Sequence, residues 1–371
     1  MNITYFFVYG RKKRIEQGNN FAKEMFYSYF YFKSKYENTS IIEFSSNKNF
    51  FTKIFNFFDI YLNKATKLPF FMSNAVNFKN YKKILNTDYL ICAQDRIAIS
   101  LIPILIISKI FNPKLNTTFF VMGLFNKEKD KKVIKPLRLF FLKLISSLVN
   151  NLVFLGEGEY ELAIREYNFI SKKSHLLPFM VDENFWQKDK EKKFDDKSGI
   201  LFVGNDGHRD YELLTEIAKE LNDYKFVFVT KHFKFNKIEI QNVKIFDGSW
   251  GNEFLSDEEL KKIYTDSKLT IIPIRNTTQP SGQSVALQSM CTGTPVMMSD
   301  FDGLWDKKNI NNNENIILIK ENKSDLWAAE IRKHYDDNQF LEKIAKNAEK
   351  LIDEKYKEEY FNQSLEKIIG I

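Results

Sequence analysis

Cysteine and histidine are both scarce in this chain of 371 residues. The two cysteines, Cys92 and Cys291, lie far apart and within apolar segments, which excludes a disulfide framework and a four-cysteine metal site and fits a reducing compartment. The four histidines are scattered, and none precedes His175. Because no Asp-x-Asp pair follows a predicted strand either, we expect no bound metal.

Long hydrophobic runs are also missing. The most apolar segment, Ile97 to Ile107, is about half of the roughly 20 residues that a membrane-spanning helix needs. The apolar run Ile3–Val8 is followed by the basic run Arg11–Arg14, which is the reverse of a secretory leader. We therefore expect a cytoplasmic protein.

Acidic residues are few in the first half of the chain. Residues 1–180 hold 27 Lys and Arg against 13 Asp and Glu, whereas residues 181–371 hold 28 against 35. A basic half favours an anionic partner, such as a membrane surface or a phosphorylated acceptor, although a lysine-rich composition alone would give the same count. Nucleic acid is not expected, since no nucleic-acid-binding module is recognisable.

One helical stretch could serve such a partner. Residues Pro136 to Leu152 have apolar side chains at helical spacing, with Lys135, Arg138 and Lys143 nearby. The helix could lie on an anionic membrane surface at the inner face of the cell membrane, or it could simply pack on its own sheet. The sequence leaves both open.

What the sequence does contain is a series of short apolar runs that alternate with longer amphipathic segments. Nearly continuous apolar runs are typical of parallel strands that helices cover on both faces. The pattern predicts doubly wound α/β units. The candidate strands are Ile3–Tyr9, Ser40–Ser45, Asp88–Ala93, Thr117–Met122, Leu152–Leu155, His175–Pro178, Ile200–Val203, Lys225–Thr230, Val243–Phe246, Leu269–Pro273, Val296–Ser299 and Ile316–Ile319.

A charged segment divides the strands into two sets of six. Residues 183–198 are rich in Lys, Asp and Glu and poor in apolar residues, which indicates a solvated linker. We therefore expect a first domain over residues 1–182 and a second over residues 199–355. Ligands of doubly wound sheets bind beyond the carboxyl ends of the strands, so two such edges facing each other would form a phosphate-binding cleft.

The most informative loop follows the predicted strand that ends at Pro273. Ser281, Gly282, Gln283 and Ser284 occupy the point where this loop becomes a helix. Small residues there let a phosphate approach the free N–H groups of the helix, whose dipole favours negative charge. An ordinary capped connection between a strand and a helix would have the same residues.

Four segments together resemble the retaining glycosyltransferases of family four, clearly over about residues 150–355 and more faintly before them. The resemblance implies the GT-B fold, with two Rossmann-like domains facing across a cleft and a C-terminal helix, about residues 356–371, packed against the first domain. The segments are Leu177–Asp182, Ile200–Arg209, Leu255–Leu260 with Tyr264, and Gln288–Val296.

The resemblance also implies the donor-binding residues. Gln288 stands where the family has a glutamate that holds the donor ribose, and Gln279, or Pro280, stands where a second glutamate contacts the donor sugar. Both family carboxylates are thus absent. Arg209 occupies the place of the basic residue that neutralises the diphosphate, and Gly204 opens its turn. Lys231, at the end of a predicted strand, is a further donor-side candidate.

The acceptor side is expected in the first domain. Gly18 resembles the family's glycine turn near the diphosphate, although Asn20 could equally be the N-cap of a helix that begins at Phe21. Asp95 is the candidate catalytic residue there, together with Arg209, since the family's frequent histidine is missing; a buried ion pair with Arg96 is the alternative. Arg96 and Gly123 complete the acceptor-side set.

The resemblance implies a nucleotide-sugar-dependent glycosyltransferase. We expect it to retain anomeric configuration without a metal or other cofactor, and to transfer a sugar to a glycan or lipid-linked acceptor in envelope polysaccharide or glycolipid synthesis. Two alternatives stay open. One is a sugar-nucleotide epimerase or hydrolase of the same fold, and the other is a non-catalytic sugar-nucleotide binder.

Overall fold

The computed structural model describes residues 1–18, 20–45, 50–126, 134–232, 240–248 and 255–371. Every predicted strand is present among the described residues; three have the predicted ends, and the ends of the others shift by at most two residues. The strands are β1 Ile3–Phe7, β2 Thr39–Glu43, β3 Tyr89–Cys92, β4 Asn116–Val121, β5 Asn151–Phe154, β6 Ser174–Leu176, β7 Ile200–Val203, β8 Phe226–Val229, β9 Val243–Phe246, β10 Leu269–Ile272, β11 Val296–Ser299 and β12 Ile317–Ile319.

Helices connect the strands, as doubly wound units require. They are α1 Arg11–Gln17, α2 Tyr29–Lys35, α3 Phe50–Thr66, α4 Met72–Ala75, α5 Phe78–Leu85, α6 Asp95–Ser100, α7 Ile102–Phe111, α8 Lys135–Leu148, α9 Glu157–Glu166, α10 Glu183–Trp186, α11 Tyr211–Glu220, α12 Asp257–Asp266, α13 Gln283–Cys291, α14 Ser324–Tyr335, α15 Asn338–Leu351 and α16 Glu358–Ile369. Short 3-10 turns lie between some of them, and a π-helical turn, Ile352–Tyr356, joins α15 to α16.

In the described part of the chain, the strands form two parallel sheets of six strands each. The first sheet has the order β2-β1-β3-β4-β5-β6. The second sheet has the order β12-β11-β10-β7-β8-β9, and this second order is the doubly wound Rossmann order. In the second sheet, the direction of winding reverses between β7 and β10, which pair at Leu269 with Ile200. Because the connections after these two strands leave on opposite faces, a crevice opens at their carboxyl ends.

The chain divides into two compact units. The first unit contains residues 1–19, 25–177 and 362–371, and the second contains residues 20–24 and 178–361. Each has its own apolar core, and side chains on both faces of each sheet are buried. The short segment 20–24 thus belongs to the second unit, although the residues on either side of it belong to the first.

Three local predictions need correction. No helix begins at Phe21: a helix ends at Gln17 instead, with Gly18 as its C-cap, because Gly18 adopts the left-handed conformation that terminates helices. The segment 183–198 is not wholly solvated, since Trp186 and Lys197 are buried. Arg138 in α8, which the sequence suggested as a basic residue for a membrane surface, is buried. It donates to the carbonyl oxygens of Thr66 and Leu124 at 3.0 and 2.8 Å.

The C-terminal end of the chain packs within the first unit, to which residues 362–371 belong. Lys35 Nζ forms an ion pair with Glu366 at 2.8 Å, and the Tyr31 hydroxyl donates to the same carboxylate at 2.7 Å. The Asn116 amide donates to the Ile369 carbonyl at 3.2 Å, next to the start of β4. These contacts attach the end of α16 to the helices and strands around it.

Candidate functional site

The loop after β7 places a buried arginine at the carboxyl edge of the second sheet. Arg209 is 3% exposed, and its Nη1 donates to Ser281 Oγ at 2.8 Å and to Asp206 Oδ2 at 2.9 Å. Gly204 is required at the start of this loop, because a Cβ there would lie 2.6 Å from Arg209 Nε. Arg209 Nε has no partner among the described residues, so the guanidinium keeps a free donor.

Asp206, which sequence reasoning missed, orients this arginine. Its Oδ1 accepts from the backbone N–H groups of His208 and Arg209 at 2.8 and 3.2 Å. Burial acts to raise the pKa of Asp206, but the Arg209 guanidinium and the hydrogen bonds from His208 and Ser281 outweigh burial and hold that pKa below its ordinary value. Asp206 is therefore an anion that fixes the direction of Arg209.

The loop after β10 brings a helix N-terminus to the same place. Ser281 lies one residue before the N-cap Gly282, whose φ of 82° is left-handed. A Cβ on Gly282 would approach Met298 Cε at 2.8 Å, so both conformation and space require glycine. The N–H groups of Gln283 and Ser284 find no partner among the described residues. This is the arrangement that binds anions at helix N-termini.

Two further predicted donor residues join this group. Gln279 Oε1 lies 3.1 Å from His208 Nε2, which links the loops that follow β7 and β10. The backbone N–H of Lys231 donates to Asn205 Oδ1 at 2.8 Å, which places Lys231 at the edge of the β7 loop with an exposed side chain. The buried Gln283 Nε2 has no partner in the described part of the chain.

Gln288 is placed differently from the loop residues. Its amide Nε2 donates to Glu24 Oε1 at 2.8 Å, and its Oε1 accepts from the Tyr264 hydroxyl at 3.2 Å. The Trp186 indole also donates to Glu24 Oε1, at 2.9 Å. The side chain expected to hold the donor ribose is thus engaged on both its amide atoms, and its contact with a donor stays a prediction.

Glu24 is the second residue that sequence reasoning missed. It is 1% exposed, and its Oε2 finds no partner among the described residues. Burial raises its pKa to about 7, against the hydrogen bonds from Gln288 and Trp186. Because nothing in the local sequence around Glu24 marks a buried carboxylate, only its placement beside Gln288 could reveal it.

The segment 20–24 is fastened to the second unit by carboxylates. Asp257 Oδ2 accepts from the Ala22 N–H and Asp182 Oδ2 accepts from the Lys23 N–H, both at 2.9 Å. Ala22 is buried in the core of that unit. These contacts hold Glu24 against α13 on the side of Gln288.

The predicted residues of the first unit follow its strands. Gly18, with φ of 63°, ends α1, and a Cβ there would meet nothing within 4 Å. Asp95 is buried in the first turn of α6, just after β3. The Arg96 side chain is exposed, with its guanidinium 5.9 Å from the centre of the Phe71 ring. The catalytic and acceptor roles of these residues stay predictions.

Gly123 has a buried partner that the sequence did not indicate. Its N–H donates to both carboxylate oxygens of Glu159, at 2.9 and 2.8 Å, and the Phe125 N–H donates to Glu159 Oε1 at 3.2 Å. Glu159 lies in the first turn of α9 and is 1% exposed. This carboxylate orders the loop after β4, with Gly123 at φ of 94°.

A cavity of about 340 Å³ lies elsewhere on the second unit. It is lined by residues of the charged segment 183–198, by Gly293 at the end of α13 and by residues of α15. Lys197, on its wall, donates to the Thr265 carbonyl and to Thr294 Oγ1, both at 2.8 Å, and burial lowers its pKa to about 8. Since these residues precede β7, β10 and β11, the cavity is at the edge opposite the Arg209 site.

No helix in the described ranges has the length and apolar character needed to cross a bilayer. Nor do the described His, Cys, Asp and Glu side chains form a group of three placed to hold a metal ion.

The second unit is similar in sequence to a known protein family. Residues 184–351 match the model of the family described as glycosyl transferases group 1. This match contains β7 to β12 and the loops that carry Arg209 and Ser281. The match covers a little less than half of the chain and shows that the second unit is similar to this family. No curated protein sequence matches the chain.

Solved structures share this GT-B fold over the whole chain. Anabaena HepE in complex with UDP-glucose has a TM-score of 0.70 and 11% identity, covering 100% of this chain and 99% of its own. Sucrose-phosphate synthase from Thermosynechococcus elongatus has a TM-score of 0.69 and 13% identity over 99% and 98% of the two chains. A glycosyltransferase from Rickettsia africae has a TM-score of 0.60 and 13% identity, covering 99% of this chain and 97% of its own. The expected GT-B fold is confirmed.

Proposed function

We propose that this protein of GT-B fold is a glycosyltransferase, which moves a sugar from a nucleoside diphosphate donor to a glycan or lipid-linked acceptor, with retention of configuration, in envelope polysaccharide or glycolipid synthesis. The observation that carries the proposal is the buried Arg209 guanidinium beside Ser281 and the unpaired N–H groups of α13. A diphosphate is the kind of ligand that such a set of donors binds best. HepE, which shares the fold, is described with UDP-glucose.

The reaction breaks the bond between the anomeric carbon and the diphosphate oxygen and forms a bond from that carbon to an acceptor oxygen, which loses its proton. Negative charge grows on the departing diphosphate. Arg209 and the N–H groups of Gln283 and Ser284 are held rigidly before the reaction, so they stabilise this charge at little reorganisation cost. We propose that these fixed donors take the role of a metal, so that the reaction needs none.

On the acceptor side, we propose that Asp95 receives or orients the acceptor hydroxyl. Its position in the first turn of α6, after β3, supports this role, because carboxyl-end loops carry the functional groups of doubly wound sheets. The acceptor-side residues Arg96 and Gly123 follow β3 and β4 of the same sheet.

Turnover with a panel of nucleotide sugars tests the proposal. Uridine, guanosine and adenosine diphosphate sugars are incubated with the protein, with and without glycan and lipid-linked acceptors, and release of nucleoside diphosphate is measured. We expect one donor to give acceptor-dependent release and a product with the donor's anomeric configuration. Release that needs a divalent metal would contradict the metal-independent mechanism, and an inverted product would contradict retention.

A non-catalytic sugar-nucleotide binder is the second candidate. The engagement of Gln288 by Glu24 and Tyr264 favours it, because this amide then contributes little to donor chemistry. A binder raises its melting temperature with a nucleotide sugar but releases no diphosphate. An epimerase or hydrolase of the same fold would give an isomerised donor or a free sugar without any acceptor.

A further inference from the structure

Exposed large hydrophobic side chains are concentrated in the first unit. Among the described residues, only Leu326 and Tyr360 of this kind lie in the second unit. Most of the others belong to α3, α5, α7 and α8. We call the solvent-exposed side of these four helices the outer helical face. Exposed apolar groups in such a concentration are characteristic of interaction surfaces.

Helix α3 has more exposed large hydrophobic side chains than the other three helices of this face. Phe50, Ile54, Phe57, Phe58 and Tyr61 are 71%, 41%, 69%, 48% and 58% exposed. Their spacing of four, three, one and three residues places them on one side of the helix. The opposite side is also apolar, and there Phe55 and Leu62 pack against the core. The helix therefore does not need its outer aromatic residues for its own packing on the sheet.

Neighbouring helices extend the apolar surface. The Ile134 N–H donates to the Ala65 carbonyl at 3.0 Å, which joins the start of α8 to the end of α3. On α8 Phe140 is 56% exposed, and on α7, which packs beside α8, Ile110 and Phe111 are 71% and 70% exposed. Phe78 on α5 is 79% exposed.

The charges of the same helices have one sign. The only acidic residue in α3, α5, α7 and α8 is Asp59, which is buried and accepts from the N–H groups of Met72 and Ser73 at 2.8 and 3.0 Å. Their exposed lysines are Lys53, Lys64, Lys79, Lys82, Lys83, Lys109, Lys135 and Lys143. The outer helical face thus combines aromatic side chains with uncompensated positive charge.

We propose that the outer helical face binds the surface of an anionic lipid bilayer, with the α3 aromatic side chains inserted at the boundary of headgroups and acyl chains. The lysines would contact lipid phosphates, while the apolar groups leave water. An apolar partner surface alone would not need the excess of lysine, and an acidic polymer alone would not need exposed phenylalanine. This binding does not rest on the proposed transferase reaction.

Vesicle sedimentation of the full chain tests the proposal. Vesicles of phosphatidylglycerol and phosphatidylcholine are compared with vesicles of phosphatidylcholine alone. We expect binding to the anionic vesicles to be at least tenfold tighter at low salt and to weaken as salt is added. The variant Ile54→Ser/Phe57→Ser/Tyr61→Ser should lose at least tenfold of this binding. Its melting temperature should stay close to that of the unmodified chain.

The second unit supplies matched controls. Leu326→Ser/Tyr360→Ser removes comparably exposed apolar groups and should leave vesicle binding unchanged. Lys53→Gln/Lys64→Gln should weaken it about tenfold or more, whereas Lys219→Gln/Lys343→Gln should not. The control pairs thereby separate a specific face from a general effect of hydrophobicity or charge.

Three results would overturn the proposal. The first is a chain that ignores anionic vesicles at low salt, and the second is equal loss of binding in the α3 and control variants. The third is a dimer that dissociates in the α3 variant while vesicle binding is absent, which would make the face a contact between copies of this chain. Nucleotide-sugar turnover in solution can succeed or fail independently of all three.

Discussion

At the scale of single residues, the candidate donor site consists of one buried cation, Arg209, held by one carboxylate and one hydroxyl group. Asp206 neutralises part of the charge on Arg209 and fixes its orientation, while Ser281 joins the guanidinium to the β10 loop. A diphosphate would therefore meet an arginine that is already oriented. Buried charged groups arranged in this way are common at functional sites.

Replacing Arg209 by alanine should weaken nucleotide-sugar binding by about 1.5–3 kcal/mol, the scale of a hydrogen bond to a charged group. Isothermal titration with the donor identified in the turnover panel measures the loss. Arg275→Ala is the matched control, since this guanidinium is on the neighbouring loop but is 51% exposed and pairs with Glu212. Equal affinities for the unmodified chain and Arg209→Ala would contradict the assignment.

Glu24 should make the stability of the protein depend on pH. Its pKa is about 7 in the folded chain and 4.5 in the reference state, so the folded protein binds the extra proton between these values. Stability should then fall as pH rises from about 4.5 to 7, by up to about 3 kcal/mol in total. Glu24→Gln, which cannot ionise, should gain stability relative to the unmodified chain between pH 5 and pH 8.

Thermal unfolding across that pH range measures this difference. The exposed Glu314 provides a control, because Glu314→Gln removes a carboxylate without removing a buried one. If the difference between Glu24→Gln and the unmodified chain were the same at pH 5 and pH 8, Glu24 would not be the titrating group.

At the scale of secondary-structure elements, two glycines allow the donor loops to approach each other. Gly204 makes room for the Arg209 side chain, and Gly282 begins α13 in a conformation that other residues rarely adopt. Helix α13 then runs from the anion site at its N-terminus to Gln288 and Glu24 about one and a half turns later. One element thus carries both the predicted phosphate contacts and the amide of Gln288 that binds the buried Glu24 carboxylate.

Gly282→Ala should destabilise the protein by about 2–4 kcal/mol, since it combines a left-handed backbone with contacts of 2.8 Å to Met298 and 2.9 Å to Ile274. It should also weaken donor binding, because the start of α13 must move. Gly207→Ala, in the β7 loop, meets nothing within 4 Å and should change stability by no more than about 0.5 kcal/mol. Chemical denaturation distinguishes the pair, and similar losses in both would show that Gly282 is not specially constrained.

At the scale of the whole molecule, each unit has one cysteine in its own core. Cys92 is fully buried among the strands of the first unit, and Cys291 is 8% exposed in the second. Burial raises the pKa of both thiols, so neither ionises readily in the folded chain. The thiols can therefore report the opening of each unit separately.

We expect neither cysteine to react with a disulfide reagent such as DTNB under native conditions, and both to react after denaturation. Reductant should not change the melting temperature. The single variants Cys92→Ala and Cys291→Ala identify which thiol is labelled. Rapid labelling of Cys291 in the folded chain would contradict the packing of α13 described above.

Much of this architecture could be predicted from the sequence. All twelve strands were predicted from the sequence, because strands buried on both faces are apolar throughout. Ile200–Val203 and Val296–Ser299 show this local pattern. The loop from Ser281 to Ser284 could also be predicted, since small residues before an apolar helix are a local signal. The start of α2 could not, because the helix-like run after Phe21 is interrupted by 3-10 and turn conformations.

The sequence by itself determined which segments are strands, that their sheets are parallel, and where a helix N-terminus could receive an anion, because these depend on neighbours along the chain. Only the tertiary structure decided that Glu24 meets Gln288 across 264 residues, and that Glu159 closes on Gly123. It alone also placed apolar side chains of α3 outward. Contacts between distant residues leave no local period or spacing, so burial and pairing of these groups arise only when the chain has folded.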